Sequence, residues 1–210
     1  MENDLEVYRK AVVYAIERHR GQYRDGGEDF IHHPIRVGRA IRRMGYPLFV
    51  VIGGVLHDVP EETGTSIYVI RNFFGGDVAQ IVDDLTQRPD EPNSDYRERL
   101  KISSKESRAV KLVDRRDNLN CMNEWNNFRI LSYLSDTEML VDALHGVSDI
   151  LEHALLNRIR EIRQRLPSGV KRSPEVQELL RSRSIRILNK KQDQGLDYTS
   201  TQQQQQASEL

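Results

Sequence analysis

The 210-residue chain holds 31 Lys+Arg against 32 Asp+Glu, 38% hydrophobic residues and a single cysteine, enough for one domain with a short appendage and too little for a second full catalytic domain. A formal net charge of −1 supplies no global field for nucleic acid or an anionic membrane, so phosphate recognition must be local. Cys121 alone excludes an intrachain disulfide and a Cys-rich zinc site, and it suits a reducing compartment, with the cytoplasm as the expected location.

The chain opens MENDLEV, acidic where a secretory leader carries Lys or Arg, so no export signal is expected. From Asp4, the residues Leu5, Tyr8, Val12, Ile16 and His19 recur at three- and four-residue intervals, which predicts an amphipathic helix capped by Asp4 and ended by Gly21. Residues 22–33 form a polar loop, and Pro34 suits the first turn of a second helix reaching Met44, stopped by Gly45. Pro47 opens a third helix, LFVVIGGVLHDV, apolar on nearly every side and expected to cross the core. The 13-residue run Met44 to Leu56 is well short of the ~20 apolar residues of a bilayer span, so no membrane insertion is expected.

Thr65 is the expected cap of SIYVIRNFF, and Asp77 that of VAQIVDDLTQR before the loop with Pro89 and Pro92. The pattern resumes beyond Ser94, and Ser104 caps KESRAVKLVDRRDNLN, where Val110, Asp114 and Asn118 share one face. One long helix is predicted from Asp136 to Leu166. No stretch alternates with the period of a strand, so the fold class is all-α. Residues 158–191 hold 11 Lys+Arg against 3 Asp+Glu; this is either a solvated helical face or a contact for an acidic partner or RNA. The expected organisation is a domain over 1–166, a basic helical extension over 167–191 and a disordered Gln-rich tail over 192–210.

Three segments carry chemistry: FIHHP around His33, LHDVPEET around His57 and Asp58, and KLVDRRDN around Asp114. Imidazole and carboxylate together suit Mn²⁺, Fe²⁺ or Zn²⁺, and the missing thiolates argue against structural zinc. Neighbours on a helix diverge by about 100°, so His57 and Asp58 can grip one ion only near a helix end, which fits Pro60 disfavouring helix at Val59. Asp114 lies among Val110, Leu112 and Val113, where an unpaired carboxylate is costly; a metal ion, or Arg115 or Arg116, removes that cost. Glu61 and Glu62 follow the His-Asp pair and can take a proton from water, or can merely favour a helix start. Arg24 can bind phosphate or lie free on the surface. Of the adjacent histidines, His33 is the expected ligand, with His32 and His19 in supporting or core positions.

In order along the chain, GQYRDGGEDFIHHP, LHDVPEET and KLVDRRDN resemble the HD-domain hydrolase of the RelA/SpoT homologues, above all the small stand-alone alarmone hydrolases, over roughly residues 5–155. The family's motifs run HxGQxRKxGxPYxxHP, HDxxEDT and KLADRxHN. The resemblance implies an all-helical HD-domain bundle around one Mn²⁺ ion and hydrolysis of the 3′-pyrophosphate of ppGpp or pppGpp. It implies His33, His57, Asp58 and Asp114 as metal ligands, and Glu61 and Glu62 as the pair that activates water. Arg24 then lies at the nucleotide, Asn118 near the ribose or its phosphates, and Lys111 in a supporting role at the substrate. The chain departs from the pattern at Asp25, where a second basic residue is common, at Glu62, one methylene longer than the usual Asp, and at Asp117, where His is frequent.

The partner so implied is a small nucleotide, with no membrane, nucleic acid disfavoured and a homo-oligomer left open. With no room for a synthetase domain, hydrolysis alone is expected. Two other readings stand beside it: a related HD phosphohydrolase acting on ppApp or NADPH, and a non-catalytic regulatory module paired with a toxic synthetase or with RNA.

Overall fold

A computed structural model describes residues 2–167, which contain ten α-helices and no strand; the segments 167–191 and 192–210 of the expected organisation lie, but for Pro167, outside the described residues. The helices are α1 (Glu2–Arg18), α2 (His32–Arg43), α3 (Leu48–Leu56), α4 (Val59–Thr63), α5 (Ile67–Phe74), α6 (Gly76–Leu85), α7 (Asn93–Lys101), α8 (Lys105–Asn118), α9 (Asn127–Ala143) and α10 (Asp149–Arg165). The all-α expectation holds. Among these residues no helix is long and apolar enough to cross a membrane.

Helix α3 is the axis, touching α1, α2, α6 and α8. Its residues Val50 to Leu56 are all buried, as an all-round apolar helix requires. Its closest approach is to α2, where a methyl group at Gly38 would stand 2.5 Å from Val55 Cγ2 and 3.1 Å from the Val51 carbonyl oxygen. Glycines at 38 and 54 therefore let two helices meet backbone to backbone, which fixes His33 at the start of α2 relative to His57 just beyond α3.

The first helix keeps part of its predicted face: His19 is buried and Tyr8 and Val12 pack against the core, but Leu5 and Ile16 are exposed and Ala11 and Ala15 are buried in their stead; the small alanines admit the close packing against α3 that bulkier side chains would prevent. The helix is already formed at Glu2, so Asp4 lies inside it. Helix α2 begins at His32 with Pro34 in its first turn.

Helix α3 ends at Leu56, and α4 starts at Val59 with Pro60 in its first turn. Val59 is thus helical, contrary to expectation, because the chain turns before it: Pro60 disfavours helix continuing into Val59 from upstream, yet suits a new first turn. The break leaves His57 and Asp58 between two helices. Gly64 (φ 66°) closes α4, its N–H bonding to the Pro60 carbonyl.

Ser66 rather than Thr65 caps α5, its Oγ accepting from the Val69 N–H. Helix α6 starts at Gly76, before Asp77, and stops at Leu85, where the Thr86 hydroxyl donates to the Val82 carbonyl. Ser104 caps α8 as read, accepting from the Ser107 N–H at 3.0 Å.

The single helix expected over 136–166 is two. Gly146 adopts φ 86°, and Oε1 of buried Glu152 accepts from the N–H groups of Gly146, Val147 and Ser148, satisfying the start of α10. Apolar periodicity runs through the break because Leu140, Leu144, Val147, Leu151, Leu155 and Ile159 are all buried on both sides of it. Of the basic stretch, Arg158 pairs with Glu161 and Arg163 makes a bidentate bridge to Glu138.

Candidate metal centre

Three helix ends and one helix face meet at the floor of a cleft of about 410 Å³. His33 comes from the first turn of α2, His57 and Asp58 from the turn between α3 and α4, and Asp114 from the buried face of α8. His33, His57 and Asp114 are 2%, 3% and 4% exposed. One ligand atom each of His33, His57 and Asp58 lies within 4.8 Å of the others. Oδ1 of Asp114 lies 3.2 Å from His33 Nε2 and 3.8 Å from His57 Nε2. The structure brings the four residues together.

The imidazoles are aimed. His57 Nδ1 lies 2.8 Å from the Gly54 carbonyl oxygen, which can only accept, so Nδ1 keeps its hydrogen and Nε2 is the nitrogen left to take a proton or a metal ion. That Nε2 is buried without a hydrogen-bond donor, yet it faces Asp58 Oδ1 at 3.0 Å. Two acceptors so close repel unless a cation or a proton lies between them. His33 is oriented the same way: Asp117 Oδ2 takes its Nδ1 at 2.7 Å and leaves Nε2 pointing to Asp58 and Asp114 at 3.5 and 3.2 Å.

Electrostatics agree. Burial works against a charged His57, but Asp58 and Asp114 outweigh it and raise its proton affinity well above the ordinary value. His33 is raised likewise, with Asp114 and Asp117 overcoming burial. Burial alone would raise Asp58, yet His57 holds it down to about 2. Asp114 is held well below the carboxylate range, against its burial, chiefly by Lys111. Two carboxylates that favour positive charge between two imidazoles are the arrangement that could hold a divalent cation in the proton's place. The donor set, nitrogen and oxygen without thiolate, fits such an ion.

Around this floor stand the other residues singled out in the sequence. Glu61 and Glu62, on α4, line the cleft with Arg24, Lys111 and Asn118. Both glutamates are exposed at the cleft wall, yet their proton affinity is raised from the ordinary Glu value, first by partial loss of water and then by Asp58. Glu61 Oε1 accepts from the Gln87 N–H. Asn118 donates from Nδ2 to Asp114 Oδ1 at 2.7 Å and accepts at Oδ1 from Arg24 at 2.5 Å. Lys111 reaches the cleft, but its ammonium is 3.0 Å from Asp114 Oδ2; it steadies that carboxylate. His19 is a core residue, stacked on Phe30 and bonded through Nδ1 to Gln22, and His32 is exposed at the start of α2.

The sequence reading missed the opposite wall. Trp125, Arg129 and Tyr133, from the start of α9 and the loop before it, also line the cleft. Asp25 accepts from Trp125 Nε1 at 2.6 Å and pairs with Arg129 at 2.7 Å through the same oxygen, Oδ2. The Arg129 guanidinium lies 3.9 Å above the Trp125 ring. The departure at Asp25 thus has a structural partner one hundred residues away, and only the fold could reveal it. Asp117, another of the departures, is the acceptor that aims His33. Arg36 clamps it, with Nε to Oδ1 at 2.8 Å and an Nη2 contact to Oδ2 at 2.9 Å.

The family model described as HD domain matches residues 11–130. The guanosine-3′,5′-bis(diphosphate) 3′-pyrophosphohydrolase MESH1 of Xenopus tropicalis is 31% identical over 169 residues, spanning 74% of this chain and 94% of that protein. Its Homo sapiens counterpart is 30% identical over 166 residues, spanning 72% and 92%. The solved structure of a metazoan SpoT orthologue that hydrolyses ppGpp superposes with a TM-score of 0.68 at 26% identity, covering 74% of this chain and 95% of that one.

Proposed function

The chain belongs to the HD-domain hydrolases of the RelA/SpoT type, and from that premise we propose that it removes the 3′-pyrophosphate of ppGpp and pppGpp in a Mn²⁺-dependent reaction. The observation that carries this reading is the pair of imidazole Nε2 atoms facing the Asp58 and Asp114 carboxylates at the floor of a cleft walled by Glu61 and Glu62.

His33, His57, Asp58 and Asp114 would hold the ion, and Mn²⁺ suits a mixed imidazole and carboxylate set. Bound there, a divalent cation supplies Lewis acidity toward water and phosphate oxygens. The chain's own residues do the rest. Glu61 and Glu62 accept the proton of the attacking water, and their raised proton affinity brings them nearer to neutral pH, where a general base works best. Arg24, anchored through Asn118, presents a fixed guanidinium to the phosphates and offsets the charge that gathers on them as the P–O bond breaks. Lys111 and Asn118 keep Asp114 in place. A cytoplasmic setting accords with the lone Cys121.

A second reading, hydrolysis of a related nucleotide such as ppApp or NADPH, is favoured by one feature: Asp25 places a carboxylate at the cleft edge and occupies Arg129. A substrate panel separates the two. Purified chain is incubated with Mn²⁺ and ppGpp, pppGpp, ppApp, NADPH or ordinary NTPs, with His57→Ala alongside. Pyrophosphate release from ppGpp and pppGpp, absent in the variant, supports the proposal. Phosphate release from NADPH alone moves the assignment to the second reading, and no turnover of any compound overturns both.

A further inference from the structure

We propose that a groove between α2 and α8, outside the metal cleft, is a second binding site, built for a small phosphate compound of the pyrophosphate type. The groove measures about 290 Å³ and is lined by Arg36, Arg39, Arg43, Arg116, Asp117 and Asn120. Its size is at the small end of ligand pockets, which suits a pyrophosphate group rather than a folded macromolecule.

The charge inside it is unbalanced. Arg36 is satisfied by Glu28 and Asp117. Arg39, Arg43 and Arg116 have no carboxylate partner among the described residues, and Asp117 is the sole acid of the lining. Arg36, Arg39 and Arg43 follow one another at three- and four-residue spacing on α2, where like charges repel. Attraction to the helix C-terminus accounts for Arg43 in the last turn. It does not account for Arg39, one turn earlier, nor for Arg116, which reaches the groove from the other helix. Guanidiniums converging from two helices match the oxygens of a diphosphate, each fork taking two.

The site also touches the metal centre through one residue. Asp117 lines the groove, and its Oδ2 takes both Arg36 and the Nδ1 of His33. An anion that draws on Arg36 therefore acts on the carboxylate that aims His33, so occupancy of the groove is felt at the proposed metal ligand. Binding itself does not depend on the hydrolase reading.

The test is calorimetric titration of the metal-free full chain with inorganic pyrophosphate, using Arg39→Ala/Arg43→Ala, its Gln counterpart and Arg24→Ala. Saturable binding that weakens at least about tenfold in both double variants and survives Arg24→Ala is expected, since charged hydrogen bonds of this kind are lost in pairs. Circular dichroism of each variant shows that the fold is retained. Absence of saturable binding in the unmodified chain, equal binding by the double variants, or loss of binding with Arg24→Ala alone overturns the proposal. So does binding of a short RNA, but not pyrophosphate, by the same arginines. Pyrophosphate should also shift the His33 imidazole resonances in the unmodified chain; if binding occurs without that shift, the link to the metal centre is refuted.

Discussion

Asp117 Oδ2 and His33 Nδ1 lie 2.7 Å apart, across 84 positions of sequence. The bond fixes which nitrogen of His33 is free, and Arg36 in turn fixes Asp117. Partners of this kind typically contribute about 10- to 100-fold to metal affinity. Asp117→Ala is therefore expected to weaken Mn²⁺ binding by about that factor while the helical content stays intact, as followed by Mn²⁺ titration and circular dichroism. Unaltered Mn²⁺ affinity would show that Asp117 plays no part in aiming the imidazole.

Glu61 separates catalysis from stability. Partial loss of water at the cleft wall raises its pKa in the folded state, so the protonated form is the one that folding favours, and the stabilisation it brings is lost as pH rises through the folded value. Glu61→Gln is expected to leave the metal-free protein at least as stable at neutral pH, read by thermal unfolding. Its turnover should fall by about 10²- to 10⁴-fold, the usual contribution of a general base. The acid limb of the unmodified enzyme's rate profile should lie above the ordinary Glu value of about 4.3.

Gly38 tests the helix crossing that sets the two histidines side by side. A methyl group there collides with Val55 and with the Val51 carbonyl, and a backbone atom cannot swing aside. Gly38→Ala should cost about 1 to 3 kcal/mol in chemical denaturation, despite alanine's better helix propensity. An unchanged or increased stability would mean that α2 and α3 separate freely.

At the cleft edge, Asp25 neutralises Arg129 and bonds Trp125. Asp25→Asn removes the negative charge and frees the guanidinium. KM for ppGpp should fall by about two- to fivefold with kcat held, the scale of an exposed charge pair of roughly 0.4 to 1 kcal/mol. A rise in KM would place Asp25 among the groups that hold the substrate.

What could be read from the sequence followed from local periodicity and from ordered motifs. The all-α architecture, the Ser104 cap and the apolar α3 are short-range properties, and three motif segments sufficed to name the four residues that converge. On α1 the pattern placed Tyr8, Val12 and His19 but not the exposed Leu5 and Ile16, which outweigh Ala11 and Ala15 in a hydrophobic tally although the small alanines are the residues packed in the core. The α9–α10 break was masked by buried residues on both of its sides, and Gly146 followed by Ser148 was the signal that marked it. Asp117 stood out only as a departure from the motif, and its role, like those of Trp125 and Arg129, was hidden because the partners lie 84 and 100 or more positions away, a distance that no spacing rule spans.

The most direct measurement of the central claim is electron paramagnetic resonance of Mn²⁺ titrated into the full chain, compared with His57→Ala and Asp114→Asn. A single saturable Mn²⁺ site in the unmodified protein, lost in both variants while circular dichroism stays the same, is the predicted result. Mn²⁺ that stays free in solution, or that binds equally well without the His57 imidazole, would contradict it.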